Sequence, residues 1–181
     1  MSSAPTGVTE PQQGGAVIAV AEGFPPIARA DARILVLGSL PSARSIAAGE
    51  YYAHPRNAFW PIMRELVGAS GSYGARCDAL IESGIALWDV LRCSERPGSL
   101  DANIRLDTAE ANDFNAFLLQ HVQLRRICFN GRKAEQMFGR FAKLDTAPSS
   151  VELRTLPSTS PAHASMPFAD KLACWRDSII G

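Results

Sequence analysis

Residues 34–60 constrain the fold of this chain more than any other stretch, because a buried strand there runs directly into a loop of unusual composition. Residues 34–37 are wholly apolar and are followed by Gly38, a pattern typical of a strand in a parallel sheet. The turn at residues 38–42, GSLPS, exposes backbone N–H groups where that strand ends. Open α/β sheets bind ligands at this edge, just outside the carboxyl ends of their strands.

The segment at residues 51–60, YYAHPRNAFW, is called the aromatic loop below. It contains five aromatic rings when His54 is counted, and Arg56 and Asn57 add two further polar side chains. A loop rarely needs this mixture for packing alone. We therefore predict that the aromatic loop forms part of a functional site.

The composition fits one compact domain with no strong overall charge. The chain has 181 residues and is 46% apolar, which is enough for a proper core. Its 18 basic residues balance 18 acidic ones, so any binding to DNA would depend on a local patch. There is no apolar stretch of transmembrane length and no secretory signal, so we expect a cytoplasmic protein that does not bind membranes.

The four cysteines do not form a metal-binding or disulfide pattern. Their spacings contain no C-x-x-C pair, and each lies in or beside an apolar segment. We predict reduced, buried thiols and no metal site. The residues concerned are Cys77, Cys93, Cys128 and Cys174.

Hydrophobic periodicity predicts alternating strands and helices, which indicates an α/β fold. We expect a flexible tail over residues 1–22 and a single domain over residues 23–181. Strands are predicted at residues 33–37, 84–90, 126–130 and 151–156. Helices are predicted at residues 58–67, 75–83, 107–121 (with Asp107 or Thr108 as N-cap), 132–141 and 168–180, with a polar loop at residues 92–106. This order predicts a three-layer αβα sandwich around a four-stranded, mainly parallel sheet.

The polar residues are concentrated where four predicted strands end. These ends lie at residues 38–42, 88–89, 130–131 and 157–163, and in a parallel sheet they meet at one edge. The chain lacks a P-loop, a G-x-G-x-x-G fingerprint and a G-x-S-x-G elbow. These absences argue against a P-loop nucleotide hydrolase, a dinucleotide dehydrogenase and an α/β-hydrolase.

Three motifs together resemble the uracil-DNA glycosylase superfamily: GSLPS at 38–42, the aromatic loop, and PSTSPAHA at 157–164. The resemblance spans about residues 23–180 and is greatest to the hypoxanthine-DNA glycosylases. It implies a monofunctional enzyme that flips a deaminated base, hypoxanthine or also uracil, out of DNA and hydrolyses its N-glycosidic bond in base excision repair. It also implies damaged DNA as partner, a monomeric state and no cofactor.

The resemblance assigns two catalytic residues, Asn57 and His163. Many branches of the superfamily orient the attacking water with an Asp or Asn of the first motif, but Leu40 stands at that position here. The hypoxanthine branch places this role on the Asn of the aromatic loop, which is Asn57. That side chain could also cap the helix that starts at Ala58. His163 would contact the leaving group or a phosphate.

The resemblance also assigns residues that bind the base and the DNA backbone. Phe59 would stack on the base, although its spacing alone favours a place in the core. Asp89 would accept a hydrogen bond from a base N–H, or it would cap amides of the loop at residues 92–99. The base-binding set is Gly38, Ser39, Leu40, Phe59 and Asp89. The DNA-binding set is Ser42, His54, Arg56, Ser158 and Ser160, with Arg44, Arg132 and Lys133 as further backbone contacts or plain surface residues.

Two other functions fit the same residues. One is a uracil or G:U mismatch glycosylase with little activity on hypoxanthine. The other is a catalytically silent nucleic-acid-binding module of the same fold, in which Leu40 marks a lost active site.

Overall fold

The computed structural model describes residues 20–97, 103–145 and 151–181. Its strands are β1 (Val20–Glu22), β2 (Ile34–Gly38), β3 (Ile85–Asp89), β4 (Leu91–Glu95), β5 (Glu110–Ala111), β6 (Arg126–Asn130) and β7 (Glu152–Leu156). Its α-helices are α1 (Ala43–Ala48), α2 (Phe59–Val67), α3 (Tyr73–Glu82), α4 (Phe114–Gln120), α5 (Arg132–Phe141) and α6 (Phe168–Ile179), and Pro161–His163 form a 3₁₀ helix.

A four-stranded sheet, entirely parallel and in the order β3-β2-β6-β7, forms the centre of the domain. Successive side chains of a strand point to opposite faces, so each face of this sheet has its own core. Leu35 and Leu37 pack with α4 and α5, whereas Val36 packs with α2, α3 and α6. The predicted three-layer αβα sandwich around a four-stranded parallel sheet is confirmed.

A second sheet, in the order β1-β4-β5, is antiparallel and was not predicted. Strand β1 lies in the stretch predicted to be a flexible tail, and residues 1–19 of that stretch lie outside the described residues. Strand β4 replaces the start of the predicted polar loop. The sequence does not show β4 as a strand, because several of its residues are polar. Ser94, for example, is buried, and its hydroxyl donates a hydrogen bond to the carbonyl of Arg105.

The helix predicted over residues 107–121 is wrong at its start. Helix α4 begins seven residues later, and its N-cap is Asp113, whose carboxylate accepts a hydrogen bond from the N–H of Ala116 at 3.0 Å. The residues before it pair with β4 as β5. Neither Asp107 nor Thr108 is therefore the N-cap: Thr108 instead accepts a hydrogen bond from the N–H of Glu95 at 3.0 Å.

Helix α1 was not predicted either, although its ends carry ordinary signals. The Ser42 hydroxyl accepts a hydrogen bond from the N–H of Ser45 at 3.1 Å, and the helix ends at Gly49, which has a φ of 66°. With only six residues between these two caps, the apolar periodicity is too short to recognise.

The four cysteines are free thiols. Cys93 and Cys128 are buried as predicted, and burial raises the pKa of the Cys128 thiol to about 11. Cys77 is half-buried, and Cys174 is exposed on α6, which corrects the prediction for that residue.

Within the described ranges, no helix is long and apolar enough to cross a membrane.

Candidate active site

The carboxyl ends of β2, β3, β6 and β7 meet around one cavity of about 330 Å³. The segments that line it come from all four predicted strand ends and from the aromatic loop. The sequence prediction of a single site at this edge of the sheet therefore agrees with the geometry. The lining residues are Gly38, Ser39, Leu40, Pro41, Ser42, Ser45, Tyr51, Tyr52, His54, Asn57, Asp89, Asn130, Ser158, Thr159, Ser160, Ala162 and His163.

Asp89 lies at the base of the cavity, and its carboxylate lies close to Gly38, its direct pairing partner on the neighbouring strand. A Cβ atom at Gly38 would lie 2.3 Å from Asp89 Oδ1 and 3.0 Å from Tyr52 Oη. Only glycine therefore leaves room for this carboxylate and this phenol. Asp89 is 3% exposed, and its carboxylate lines the buried end of the cavity, where it can accept a hydrogen bond from a ligand N–H.

Two tyrosines line the cavity, the buried Tyr51 and the partly exposed Tyr52, and neither was assigned a role from the sequence. Phe59 is fully buried and lies outside the cavity lining, and its ring packs against that of Tyr52 at a centroid distance of 4.2 Å with an interplanar angle of 31°. The predicted stacking role of Phe59 is therefore corrected: Phe59 is a core residue that supports Tyr52. Tyr52 also has a φ of 54°, a strained conformation for a bulky residue.

Asn57 lines the cavity and also contacts the start of α2. Its Oδ1 accepts a hydrogen bond from the N–H of Phe59 at 3.0 Å, so the amide has a fixed orientation. A carbonyl oxygen has two lone pairs, and the second can accept a hydrogen bond from a water. The two roles left open by the sequence, helix capping and water positioning, are thus compatible in one side chain.

His54 reaches the cavity from the same loop. Its Nδ1 accepts a hydrogen bond from the N–H of Arg56 at 3.1 Å, which leaves Nε2 as the protonated nitrogen of the neutral ring. The ring can therefore donate one hydrogen bond to a ligand. Arg56 itself is exposed and does not line the cavity.

The opposite wall consists of residues 157–163, called the hydroxyl loop below. Ser158 Oγ accepts a hydrogen bond from the N–H of Ser160 at 3.2 Å, and Ser160 Oγ caps the 3₁₀ helix by accepting from the N–H of Ala162 at 3.3 Å. His163 closes this short helix and is exposed at the mouth of the cavity. The carbonyl of His163 accepts a hydrogen bond from Lys171 Nζ at 2.7 Å.

Lys171 itself is 5% exposed, and burial lowers its pKa. It lies one turn into α6, where a lysine would ordinarily extend into solvent. Its ammonium group holds the backbone of His163 in place, and no pattern in the sequence indicated this function.

Two further residues organise the site but were given no individual role from the sequence, although Asn130 stands at one of the predicted strand ends. Arg96 is 6% exposed and donates to the carbonyls of Leu40 (3.4 Å) and Pro41, which holds the GSLPS turn from behind. Asn130 ends β6 and forms two hydrogen bonds with Thr159. A polar residue directly after an apolar strand is the one signal that could have identified Asn130.

Leu40 cannot orient a water, as the sequence indicated. Its side chain is 5% exposed and belongs to the hydrophobic core beneath the turn, although the residue borders the cavity. Ser39 and Ser42 border the cavity as well.

A second groove, of about 690 Å³, adjoins the cavity and shares Asn130, Ser158 and His163 with it. Its cationic side chains come from α5 and β7 and are Arg132, Lys133 and Arg154. Two of them are predicted backbone contacts. Arg44, the third such candidate, is exposed on α1 and lines neither space.

Within the described part of the chain, no three His, Cys, Asp or Glu side chains come together in a way that could hold a metal ion. Among the described residues lining the cavity there is also no lysine. The chemistry available there is that of hydroxyls, amides, two histidines and one carboxylate.

Comparison with known proteins agrees with this geometry. The sequence profile of the Uracil DNA glycosylase superfamily matches residues 25–178. A hypoxanthine DNA glycosylase of Methanosarcina acetivorans is 37% identical over 147 residues, which are 80% of this chain and 89% of that protein. A hypoxanthine DNA glycosylase of Methanosarcina barkeri is 37% identical over 146 residues, which are 76% of this chain and 91% of that protein.

A solved structure supports the same assignment. The NMR solution structure of a candidate uracil DNA glycosylase from Methanosarcina acetivorans superimposes with a TM-score of 0.70 at 32% identity, covering 90% of this chain and all of that one. The family resemblance carried by the three sequence motifs is thereby confirmed. The chain belongs to the uracil DNA glycosylase superfamily.

Proposed function

We propose that this protein is a monofunctional DNA glycosylase that removes hypoxanthine, and more slowly uracil, from DNA. The observation that carries the proposal is that Tyr52, Asn57, Asp89 and His163 all line one cavity. Its volume of about 330 Å³ suits a single flipped nucleotide and cannot admit a duplex. The names of the two Methanosarcina relatives support hypoxanthine as the substrate.

Recognition of the base rests on Asp89 and Tyr52. A buried carboxylate accepts a hydrogen bond from a ring N–H, which hypoxanthine offers at N1 and uracil at N3. Adenine presents a lone pair at its N1 and is repelled by the carboxylate. The Tyr52 ring supplies a stacking surface that is insensitive to base identity. Because uracil also satisfies Asp89, a uracil or G:U mismatch glycosylase is the second candidate function.

Hydrolysis at C1′ passes through an oxocarbenium-like transition state while negative charge develops on the departing base. With no lysine among the described lining residues, water is the nucleophile. Asn57 orients that water through the free lone pair of Oδ1. An amide is a poor base, so the rate depends on charge stabilisation more than on proton abstraction.

The leaving base is stabilised by hydrogen-bond donors, because the negative charge of Asp89 opposes a second negative charge on the base. The lining contains hydroxyl and amide donors and two histidines, and we assign this role to the Nε2–H of His54 and the side chain of His163. Asp89 therefore contributes recognition and these donors contribute rate.

The DNA backbone follows the second groove, where Arg132, Lys133 and Arg154 supply positive charge. Met166 also lines this groove, and it is 38% exposed. An apolar side chain at this place can fill the gap in the stack after a base has flipped out. One open face is sufficient for these contacts, so we further propose that the protein acts as a monomer in the cytoplasm.

A nicking assay tests the proposal. Single- and double-stranded oligonucleotides with one hypoxanthine or one uracil are incubated with the wild type, Asn57→Ala and Asn115→Ala, then treated with alkali. We expect cleavage at hypoxanthine that falls about 100-fold or more in Asn57→Ala, because a water-positioning group is removed. Asn115→Ala is the matched control, because that amide bonds the carbonyl of Lys143 far from the cavity.

Three other outcomes would change the conclusion. Cleavage at uracil alone would establish the second candidate function. Full activity in Asn57→Ala would remove Asn57 from the mechanism. Binding of DNA without cleavage of either base would leave a nucleic-acid-binding module of the same fold.

A further inference from the structure

Thr159 is the most deeply buried polar residue of the hydroxyl loop, in which most of the neighbouring residues are at least partly exposed. It is 1% exposed, whereas His163, four residues later, is exposed at the mouth of the cavity. Burial of a polar residue requires hydrogen bonds that compensate for lost water. The partners of Thr159 therefore indicate what this residue does.

Asn130 supplies two of these bonds. Asn130 Nδ2 donates to Thr159 Oγ1 at 2.8 Å, and Asn130 Oδ1 accepts from the N–H of Thr159 at 2.8 Å. Both ends of the amide are used, so the position and the orientation of the loop are fixed relative to β6. Strand β6 lies inside the parallel sheet, between β2 and β7, and provides a rigid support.

Gly131, with a φ of 92°, brings the two segments close together. A Cβ atom there would stand 2.9 Å from the Cβ of Ser158, which is too near for any side chain. The close contact between the hydroxyl loop and β6 thus depends on the glycine at position 131 and on the hydrogen bonds of the Asn130 side chain.

The third bond of Thr159 joins the hydroxyl loop to the aromatic loop. Its carbonyl accepts a hydrogen bond from the N–H of Ala58 at 3.0 Å. Ala58 directly follows Asn57, and the Asn57 side chain bonds the next N–H along the chain, that of Phe59. One buried threonine of the hydroxyl loop therefore contacts both β6 and Ala58, the residue that directly follows Asn57.

From these contacts we propose that Thr159, held by Asn130, is a positioning residue that fixes the Asn57 amide in the orientation needed to hold the attacking water. This inference rests on the proposed function of Asn57. The hydroxyl of Thr159 acts as the acceptor for Asn130 and not as a group that touches the substrate. Its removal displaces Asn57 through the backbone of Ala58.

Thr159→Val and Thr159→Ser test this proposal, since valine keeps the shape but lacks the acceptor and serine keeps the acceptor. Single-turnover cleavage of hypoxanthine DNA should slow at least about tenfold in Thr159→Val, because a small misplacement of a catalytic group is costly. Thr159→Ser should stay within about threefold of the wild type, and the Kd for DNA should change less than about threefold in both, because the bound strand contacts other residues.

Thr108→Val is the matched control. The Thr108 hydroxyl accepts from the N–H of Glu95 at 3.0 Å and donates to the carbonyl of Arg105 at 3.1 Å, and Thr108 does not line the cavity. This variant should lose thermal stability as Thr159→Val does, but it should retain the cleavage rate. Equal slowing of both valine variants would mean that Thr159 is merely structural.

A double-mutant cycle gives the decisive measurement. If Thr159 acts through Asn57, adding Thr159→Val to Asn57→Ala should slow the remaining reaction less than about twofold, because coupled residues are not additive. The proposal would be overturned if the two substitutions reduced the rate by factors that multiply in the double variant. A Thr159→Ser variant as slow as Thr159→Val would overturn it as well.

Side-chain amide NMR signals separate this result from the proposed function itself. In Thr159→Val the Asn57 and Asn130 amide resonances should both shift, and in Thr108→Val neither should. If the wild type cleaves no base, the function proposal fails, yet these shifts still report whether Thr159 positions Asn57. Unchanged Asn57 resonances in a folded Thr159→Val protein would refute the positioning role.

Discussion

The aromatic loop and the hydroxyl loop form facing walls of one cavity, but different forces hold them. In the aromatic loop, Tyr51, Phe59 and Trp60 are buried, and the Phe59 and Trp60 rings meet edge to face at 5.0 Å. In the hydroxyl loop, Thr159 is the buried residue, and the loop is held by side-chain hydrogen bonds.

This difference has a mechanical consequence. Packed aromatic rings cannot exchange their contacts for equivalent contacts with water, so the aromatic loop keeps its shape. A loop hydrogen bond contributes only about 0.5–1.5 kcal/mol net, and it can be exchanged for a bond to a phosphate oxygen. We therefore regard the aromatic loop as the fixed wall. In the hydroxyl loop, Thr159 is held against β6, and the segment beyond it, which includes the exposed His163, is the adjustable wall that responds to DNA.

Gly38→Ala should have the largest effect, because it forces the fixed wall to move. The added methyl would collide with Asp89 Oδ1 and crowd Tyr52 Oη. Cleavage of hypoxanthine DNA in a single-turnover assay should fall about 100-fold, the usual result of a displacement near 1 Å. Gly139→Ala is the control, since nothing lies within 4 Å of its Cβ position in α5, and it should stay fully active. Wild-type activity in Gly38→Ala would show that the wall yields easily.

Two substitutions at stacked rings distinguish the wall surface from its support. Tyr52→Leu should slow cleavage about 10- to 100-fold with little change in Tm, because base stacking on an aromatic ring contributes about 1–3 kcal/mol. Phe59→Leu should instead lower Tm and leave the rate at a permissive temperature within a few-fold of the wild type, because Phe59 is fully buried. The opposite pattern would restore Phe59 as the stacking ring. Thermal unfolding and single-turnover rates provide both readouts.

A smaller effect is expected beside the adjustable wall. Arg132→Ala combined with Lys133→Ala removes two charges from the second groove. DNA affinity should fall by several-fold, and the slope of log K against log salt should decrease by about one for each phosphate that is no longer neutralised. Fluorescence anisotropy across a salt series measures both. Arg64→Ala, which removes an exposed arginine paired with Glu65, should leave the slope unchanged.

The smallest predicted effect is a loss of stability at high pH caused by Tyr73, which holds the aromatic loop through a hydrogen bond. Tyr73 Oη accepts a hydrogen bond from the N–H of Tyr51 at 3.0 Å, and burial raises the pKa of Tyr73 from 10.0 to about 12. Between these values the unfolded chain has released the phenolic proton and the folded chain retains it, so stability falls as pH rises from 10 to 12.

Thermal unfolding from about pH 7 to about pH 12 tests this dependence. The wild type should lose stability once the pH exceeds the ordinary pKa of a tyrosine, and Tyr73→Phe should lose less because it has no proton to release at this position. Parallel curves for the two proteins would show that Tyr73 does not contribute to alkaline sensitivity.

The sequence predicted the sheet and the position of the site because both follow from local patterns. Residues 34–37 are uninterrupted apolar residues before a glycine, and a parallel sheet brings such strand ends to one edge. Asn57 and Asp89 were assigned by the family resemblance and not by local patterns, and both line the cavity.

Other residues could not be predicted because their roles depend on distant partners. Arg96 bonds carbonyls about 55 positions earlier in the chain, and Lys171 supports His163 from another helix. The sequence analysis assigned stacking to Phe59 and did not consider Tyr52. Helical spacing places Phe59 on the apolar face of α2, but no sequence pattern shows that the Tyr52 ring packs on Phe59 and lines the cavity.

That backbone at Tyr52 also bears on how the protein could be engineered. A bulky residue with a positive φ costs about 1–3 kcal/mol, which glycine at the same position would avoid. Relief of this strain favours glycine at position 52, whereas loss of the ring that packs on Phe59 opposes it, and Tyr52→Gly would remove the proposed stacking surface for the base. Laboratory evolution of this protein toward durability must include a catalytic screen, because the conformation most easily improved for folding is one that the cavity requires.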